Sequence, residues 1–309
     1  MSLRAIVSAL GGDLYQNGAR ANVPAPGHSA ADRSISLVLS DGRVVAHGFG
    51  AADWRAALDD LTQRGLIDEQ RRPRGGGCGA SAPRIDLRRR IEAAARLWDG
   101  GQAATAAGRT ALHLRLRGVP WRDDLTNLRD HPSAPIAVYA MGRRTRGAML
   151  AKISDITGAL TGVEITYLDP NGSQAVGVAA PRKTIGAVPA GSAVRLMAAS
   201  SRMVVGEGVI TTLSAIRRFG RPGWALLSAG NLARWSPPPG VRDVLIAADN
   251  GVAGEQAAIR LRARLLSLEL DAVIARPPNT FGDWNEADQA SAKASEEEEG
   301  RGGGPDRRG

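Results

Sequence analysis

The chain has 309 residues, 43% of them hydrophobic, enough for two or three modest domains with a sizeable buried core. No segment approaches the run of about 20 apolar residues that a bilayer span needs, and the opening residues lead into Gly11-Gly12-Asp13 without a signal-peptide pattern, so a cytoplasmic location is expected. One cysteine excludes an intramolecular disulfide framework and a thiolate zinc cage, while 40 basic residues against 31 acidic give +9, a balance suited to phosphate that high-GC coding also produces through arginine.

Residues 1–66 open with an amphipathic helix and an irregular stretch from Val23 to His28. Two short strands follow, over 34–39 and 44–47, joined by the hairpin dipeptide Asp41-Gly42. A helix from Ala52 to Gln63 ends at Gly65, a C-cap residue. Residues 67–84 read as a flexible basic linker. Cys78 lies in its glycine run, which supplies no shaped environment for a reactive thiolate.

The region 85–192 is helical first and β-rich afterwards. Ile85 to Leu116 reads as helix, with Ile91, Ala94, Ala95 and Trp98 at helical spacing, which makes Trp98 a core anchor rather than a base-stacking platform. Strands are expected over 136–140, 162–168 and 175–178, the last entered through the turn Asp169-Pro170-Asn171-Gly172. From 193 to 286 the pattern becomes strands over 194–197, 203–205, 224–228, 244–248 and 271–275, with helices over 209–218 and 253–268. Near-continuous apolar strands between amphipathic helices predict a buried parallel sheet flanked by helices. Residues 287–309, with Glu296 to Glu299 and a Gly/Arg end, are expected to be a disordered tail.

Ligands of an open parallel sheet sit beyond the carboxyl ends of its strands. Three acids fall there: Glu207 in Gly206-Glu207-Gly208, Asp249 after Ile246-Ala247-Ala248, and Asp283 in Phe281-Gly282-Asp283-Trp284. Carboxylates gathered at one sheet edge repel unless a cation neutralises them, and hard oxygen ligands suit Mg²⁺. Each acid by itself also fits a helix N-cap or a solvated loop charge. Arg143, Arg144, Arg146 and Lys152, with Arg182 and Lys183, are candidate nucleic-acid or nucleotide phosphate contacts, or else solvated turns. Asn231 is a further candidate for lining the cleft. Trp224 is expected in the core and Trp235 as a loop anchor. No phosphate-binding Gly-x-x-x-x-Gly-Lys-Ser/Thr loop and no Gly-x-Ser-x-Gly elbow occur, which excludes ATP-driven helicase activity and a serine-hydrolase site in this chain.

Val204-Val205-Gly206-Glu207-Gly208 resembles the first motif of the Toprim domain, and Ile246-Ala247-Ala248-Asp249-Asn250-Gly251 its Asp-x-Asp motif. Asp283-Trp284-Asn285-Glu286 resembles the late acidic motif. With Ala95-Arg96-Leu97-Trp98, Leu114 to Val119 and Leu128-Arg129-Asp130-His131-Pro132 upstream, the chain resembles the bacterial-primase-like Toprim proteins of plasmids, phages and integrated elements over most of residues 20–286. That resemblance implies an α/β Toprim domain preceded by a small zinc-ribbon-like β module and a mixed α+β region. It implies Glu207 as general acid or base and Asp249 as a ligand of Mg²⁺ or Mn²⁺. The second aspartate of Asp-x-Asp falls on Gly251, which leaves Glu255 or Asp283 to compensate. The four zinc-ribbon ligand positions fall on Ala25, His28, Gly48 and Ala51. Only His28 is a ligand type, so zinc is not expected, and the remnant is held by packing, with Phe49 and Trp54 as candidates. Arg33 and Arg43 are candidate phosphate contacts of that module.

Three functions are carried forward from sequence. The first is a Mg²⁺-dependent, DNA-templated primase-like nucleotidyltransferase of a mobile element, acting on single-stranded DNA and nucleotides, with a separate replicative helicase as candidate partner and no membrane. The second is an impaired Toprim protein that binds single-stranded DNA or a replication partner without turnover. The third is a Toprim nuclease.

Overall fold

A computed structural model describes residues 3–15, 18–29, 32–49, 52–74, 87–139 and 142–292. The chain divides into two compact units, Met1–Ile85 and Asp86–Gly309.

In the first unit, α1 (Arg4–Leu10) and α2 (Trp54–Gln63) accompany an antiparallel sheet in the order β1 (Asp13–Tyr15), β2 (Arg20–Val23), β3 (Ile35–Ser40), β4 (Arg43–Gly48). Asp41 and Gly42 both take positive φ, 49° and 77°, the twist a two-residue hairpin requires. Alternation along β3 and β4 buries Ile35, Leu37, Val44 and Ala46 against Leu3, Ile6, Leu58 and Leu61. Asp53 caps α2 by accepting the Arg55 N–H at 2.8 Å. Two expectations are corrected. Residues 67–74 are not linker: Ile67 is buried, and the Val44 N–H donates to the Arg71 carbonyl. Phe49 and Trp54 do not hold the remnant together, being 58% and 37% exposed. Gly50, Ala51, Cys78 and the rest of the expected linker lie outside the described residues.

Asp32 ties this module together. Its carboxylate accepts the Ala25 N–H at 3.0 Å, the Ser34 N–H at 3.1 Å and the Ser34 hydroxyl, and it pairs with His28 Nδ1 at 3.1 Å. The Ser34 hydroxyl and the Ala25 amide hold its pKa down at about 2. A carboxylate whose folded pKa lies below its unfolded value stabilises above the unfolded pKa and loses that contribution as pH falls through the folded one. Amide protection across β2–β4 is therefore expected to weaken between about pH 4 and pH 2, and to be weakened already at pH 7 in Asp32→Ala. Hydrogen exchange measures this, and equal protection in the two proteins at pH 7 would rule the hub out.

The second unit contains two five-stranded sheets. The first is antiparallel, in the order β5 (Gln102–Ala103), β6 (Leu128–Pro135), β7 (Thr145–Ser154), β8 (Leu160–Tyr167), β9 (Arg182–Gly186), accompanied by α3 (Leu87–Asp99) and α4 (Arg109–Leu116). The expected single helical stretch is thus two helices. Asp130 on β6 accepts the Thr110 N–H at 2.8 Å at the start of α4, and its carboxylate fills the space a Cβ at Gly108 would take. Over the described residues 136–139 the expected strand is not formed; β6 lies upstream instead, with a register shift between His131 and Ala134 that accommodates Pro132. Residues 175–178 form no strand and turn at Val176-Gly177, with Gly177 at φ 77°, and β9 takes the place of that expected strand.

The second sheet runs β10 (Val194–Arg195), β12 (Gly223–Ala225), β11 (Arg202–Gly206), β13 (Asp243–Ala247), β14 (Asp271–Ala275), parallel except where β10 meets β12. Its flanking helices are α5 (Val209–Phe219), α6 (Ala229–Leu232) and α7 (Val252–Ser267). Val204, Leu245 and Ala247 pack on the α5 side together with Met149, Ala151 and Ile153 of β7, while Met203, Val205, Val244 and Ile246 pack on the α7 side. Trp224 is in the core as expected, and Trp235 anchors the loop after α6, fully buried and edge-on to Trp224 at 6.2 Å. Residues 284–292 continue as helix, contrary to the expected tail from Ala287. Ala287 is buried there, and Arg218 pairs with Asp288 at 2.9 Å. Residues 293–309 lie outside the described residues. No described helix is long and apolar enough to cross a membrane.

Candidate active site

Three parallel strands deliver the acids. Glu207 follows β11, Asp249 lies two residues past β13, and Asp283 lies on the segment after β14. The loops are tied together by local chemistry. Asn250 donates from Nδ2 to the carbonyls of Pro278 at 3.2 Å and Phe281 at 2.7 Å, and its N–H donates to the Gly282 carbonyl at 2.7 Å. That bonding draws the Asp283 segment to the end of β13. Thr211, in the first turn of α5, donates its hydroxyl to Asp283 at 3.0 Å. The Leu227 N–H donates to the Glu207 carbonyl at 2.7 Å, with Leu227 at φ 71°. That left-handed conformation costs of order 1–3 kcal/mol and is held by its surroundings.

Asp249 is the electrostatic centre. Burial raises its pKa to about 7, with further upward pressure from Glu207, Asp283 and Glu286 and relief from Arg182. Its Oδ1 is buried and has no hydrogen-bond partner among the described residues. Burial also raises the Glu207 pKa, partly offset by the Ala229 N–H and the Arg182 charge. Among the described residues no three His, Cys, Asp or Glu side chains converge as a cage. The carboxylates act on Asp249 nonetheless, because Coulomb interaction reaches further than coordination. Mg²⁺ fits such a donor set, since it commonly takes one or two carboxylates and fills its octahedron with water and phosphate oxygens. The orphaned Asp249 oxygen is the atom that such an ion would meet.

Asp283 also fulfils the N-cap role considered from sequence. Its carboxylate accepts the Glu286 N–H at 2.9 Å, and Glu286 in return accepts the Gly282 N–H at 2.7 Å. This reciprocal arrangement resembles a capping box and starts the helix over 284–292. Glu286, which has no role assigned from sequence, is a further acid whose charge acts on Asp249 beside those of Glu207 and Asp283. Glu255 stands in the first turn of α7 and is not among the charges acting on Asp249. Gly251 has φ 132°, a backbone that an aspartate would occupy only under strain.

Of the basic candidates, Arg182 is the one whose charge reaches Glu207 and Asp249. Lys183 is turned the other way: its Nζ donates to the Ile136 carbonyl at 2.6 Å and lies over the Tyr167 ring at 5.1 Å. Lys152, paired in register with Val163, shares that opposite face. Arg143 and Arg144 precede β7, and Arg146 stands exposed at its start. Asn231 is buried and structural, donating to the Ser192 and Leu226 carbonyls and accepting the Gly191 N–H. In the first unit His28 is engaged by Asp32 and Arg33 by Asp13. Ala25 and Gly48 offer no ligand atoms, so the described donor set does not fit structural zinc.

A mostly parallel sheet with a glutamate after one strand and aspartates after the next two strands across the sheet defines a class of α/β acid-bearing domain. Residues 202–294 match the Toprim domain family, and this part of the chain is a Toprim domain. Residues 88–196 match a domain of unknown function, DUF7146. No curated protein matches the chain. Among solved structures, the primase fragment of the bacteriophage T7 primase-helicase protein is similar at 16% identity, with 90% of this chain and 97% of that chain covered and a TM-score of 0.39. The Aquifex aeolicus primase, with its zinc-binding and RNA polymerase domains, is similar at 13% identity, covering 96% and 83%, with a TM-score of 0.44. The E. coli primase catalytic core is similar at 14% identity, covering 69% and 74%, with a TM-score of 0.40.

Proposed function

We propose that this protein is a divalent-metal-dependent, primase-like nucleotidyltransferase that makes RNA primers on single-stranded DNA during replication of a mobile element. The observation that carries this reading is the half-buried Asp249 carboxylate, its Oδ1 buried and unpartnered among the described residues, with the charges of Glu207, Asp283, Glu286 and Arg182 acting on it. Asp249 holds the ion, with Asp283 and Glu286 close by. Bound Mg²⁺ or Mn²⁺ supplies charge neutralisation of the nucleotide phosphates. Glu207, its pKa raised by burial, is suited to take the proton of the hydroxyl that attacks the nucleotide α-phosphate, and to pass it on as the bond to pyrophosphate breaks. Arg182 pairs with a phosphate through its guanidinium fork. The exposed Arg143, Arg144 and Arg146 offer a surface for the template backbone. A separate helicase remains the candidate partner.

Gly251 favours a second reading, binding of single-stranded DNA or a replication partner without turnover, because its backbone and missing carboxylate remove one metal ligand. Primer synthesis on single-stranded DNA with Mg²⁺ or Mn²⁺ separates the two. Wild type is expected to make oligoribonucleotides, and Glu207→Gln to lose about 10²–10⁴-fold, the range for positioned general acid–base catalysis. Equal product from both proteins removes Glu207 from the mechanism. No product from either, with DNA binding retained, selects the second reading, and template cleavage in the same tubes selects a nuclease.

A further inference from the structure

Helix α7 carries two apolar stripes. One, of Ala257, Ala258, Leu261 and Leu265, is buried in the core it shares with the Toprim strands. The other is turned to the outside. Val252, Ile259 and Leu266 recur every seven residues and are 70%, 53% and 45% exposed, with the exposed Ala263 between the last two. At 3.6 residues per turn these four lie within about 60° of one another around the helix. A helix that packs only on its own sheet keeps its outer side polar, whereas an apolar repeat of seven is the spacing of a seam between two helices.

Charge decides which second helix fits. One flank of the outer stripe bears Glu255 and Arg262, and the other bears Gln256, Arg260 and Ser267. Glu255 makes no ion pair among the described residues. Arg262 donates from Nε to the Ala272 carbonyl of β14 at 3.1 Å. That bond guards β14, the last strand of its sheet, and leaves the helix face as the docking element. Two copies of α7 placed antiparallel about a two-fold axis bring each flank against the same flank of the other copy. With Ile259 at the centre, Val252 of each copy meets Leu266 of the other. The same register sets Glu255 of each copy beside Arg262 of the other. Parallel copies would instead set Arg262 beside Arg260, with like charges facing.

We propose that the outer face of α7 is a homodimer interface, in which two copies pair antiparallel through Val252, Ile259, Ala263 and Leu266. The Glu255–Arg262 contacts hold the register. A single helix face is smaller than a standard interface, so the association is weak and concentration-dependent.

Sedimentation equilibrium of the full chain reads this directly. Wild type is expected to dimerise as concentration rises. Ile259→Asp is expected to weaken the dimer about a hundredfold, as loss of a central anchor does, with its far-UV circular dichroism unchanged. Glu255→Arg and Arg262→Glu are each expected to weaken it about tenfold or more, because like charges then meet twice. Mixing these two variants is expected to restore association, since every contact in the mixed dimer is again between opposite charges. If Ile259→Asp loses its dichroism, the mixing experiment decides alone. A wild type that stays monomeric up to about 200 µM, well above micromolar affinity, overturns the proposal and leaves the stripe to a different protein. A dimer that a folded Ile259→Asp leaves intact overturns it, as does a mixture no more associated than its components. Stronger self-association of Arg262→Glu alone places docking on the uncovered β14 edge and overturns it as well.

Discussion

Asp249→Asn is expected to stabilise the protein and, on the proposed function, to abolish primer synthesis. The Asp249 pKa is displaced from 3.8 to about 7 by burial and by Glu207, Asp283 and Glu286. A carboxyl group that holds its proton more tightly when folded than when unfolded destabilises the fold as pH rises between those values. The sign is opposite to that of Asp32. At about 1.4 kcal/mol per tenfold change in proton affinity the ceiling is about 4 kcal/mol, and solvent screening of this half-buried side chain reduces it to roughly 1–3 kcal/mol. The wild-type melting temperature should therefore fall from pH 4 to pH 7 relative to Asp249→Asn. The variant should melt higher by roughly 2–12 °C at pH 8, given the usual scaling for a unit of this size. Mn²⁺ should raise the wild-type melting temperature and leave the variant unmoved, since an ion that binds only the native state stabilises by mass action. A variant that melts below wild type at pH 8 would show that Asp249 is held by attraction rather than against repulsion.

Asn285→Ala is expected to cost roughly 3–5 kcal/mol, lowering the melting temperature by roughly 6–20 °C. Asn285 is 0% exposed. Its Oδ1 accepts Arg117 Nε at 2.8 Å, and its Nδ2 donates to the Arg117 carbonyl at 2.6 Å and to Ser214 Oγ at 3.1 Å. Alanine leaves a guanidinium donor and a carbonyl short of partners inside the protein, which costs more than the hydrogen bonds themselves. The helix over 284–292 is anchored by this residue and by the edge-on packing of Trp284 with Phe219 at 5.2 Å. Because Asp283 and Glu286 begin that helix, Mn²⁺ affinity should weaken along with stability. Ser214→Ala, which removes the longest of the three contacts, is the graded control and should cost about 1 kcal/mol. If Asn285→Ala melts within about 1 kcal/mol of wild type, the late acidic segment is held by something other than this hub.

The sequence by itself determined the Toprim sheet and the positions of Glu207, Asp249 and Asp283. Both follow from short-range physics: runs such as Val244 to Ala248 are apolar on both faces, and an acid just past such a run stands at a strand end whatever surrounds it. Pattern misplaced β6, because Pro132 and Pro135 argue against a strand unless a bulge admits them. It also passed over β9, because Arg182-Lys183-Thr184 at a sheet edge shows little apolar alternation. Tertiary structure alone decided which charges meet. Adjacent residues on a strand face opposite sides, so Arg182 reaches the acids while Lys183 sits on Tyr167. Glu286 joins Asp249 and Glu255 does not, because Asn250 and Thr211 draw the segment after β14 to the ends of β11 and β13. Coulomb interaction depends on separation in space, and no periodicity in the chain records that the charges of Glu207, Asp283, Glu286 and Arg182 all act on Asp249.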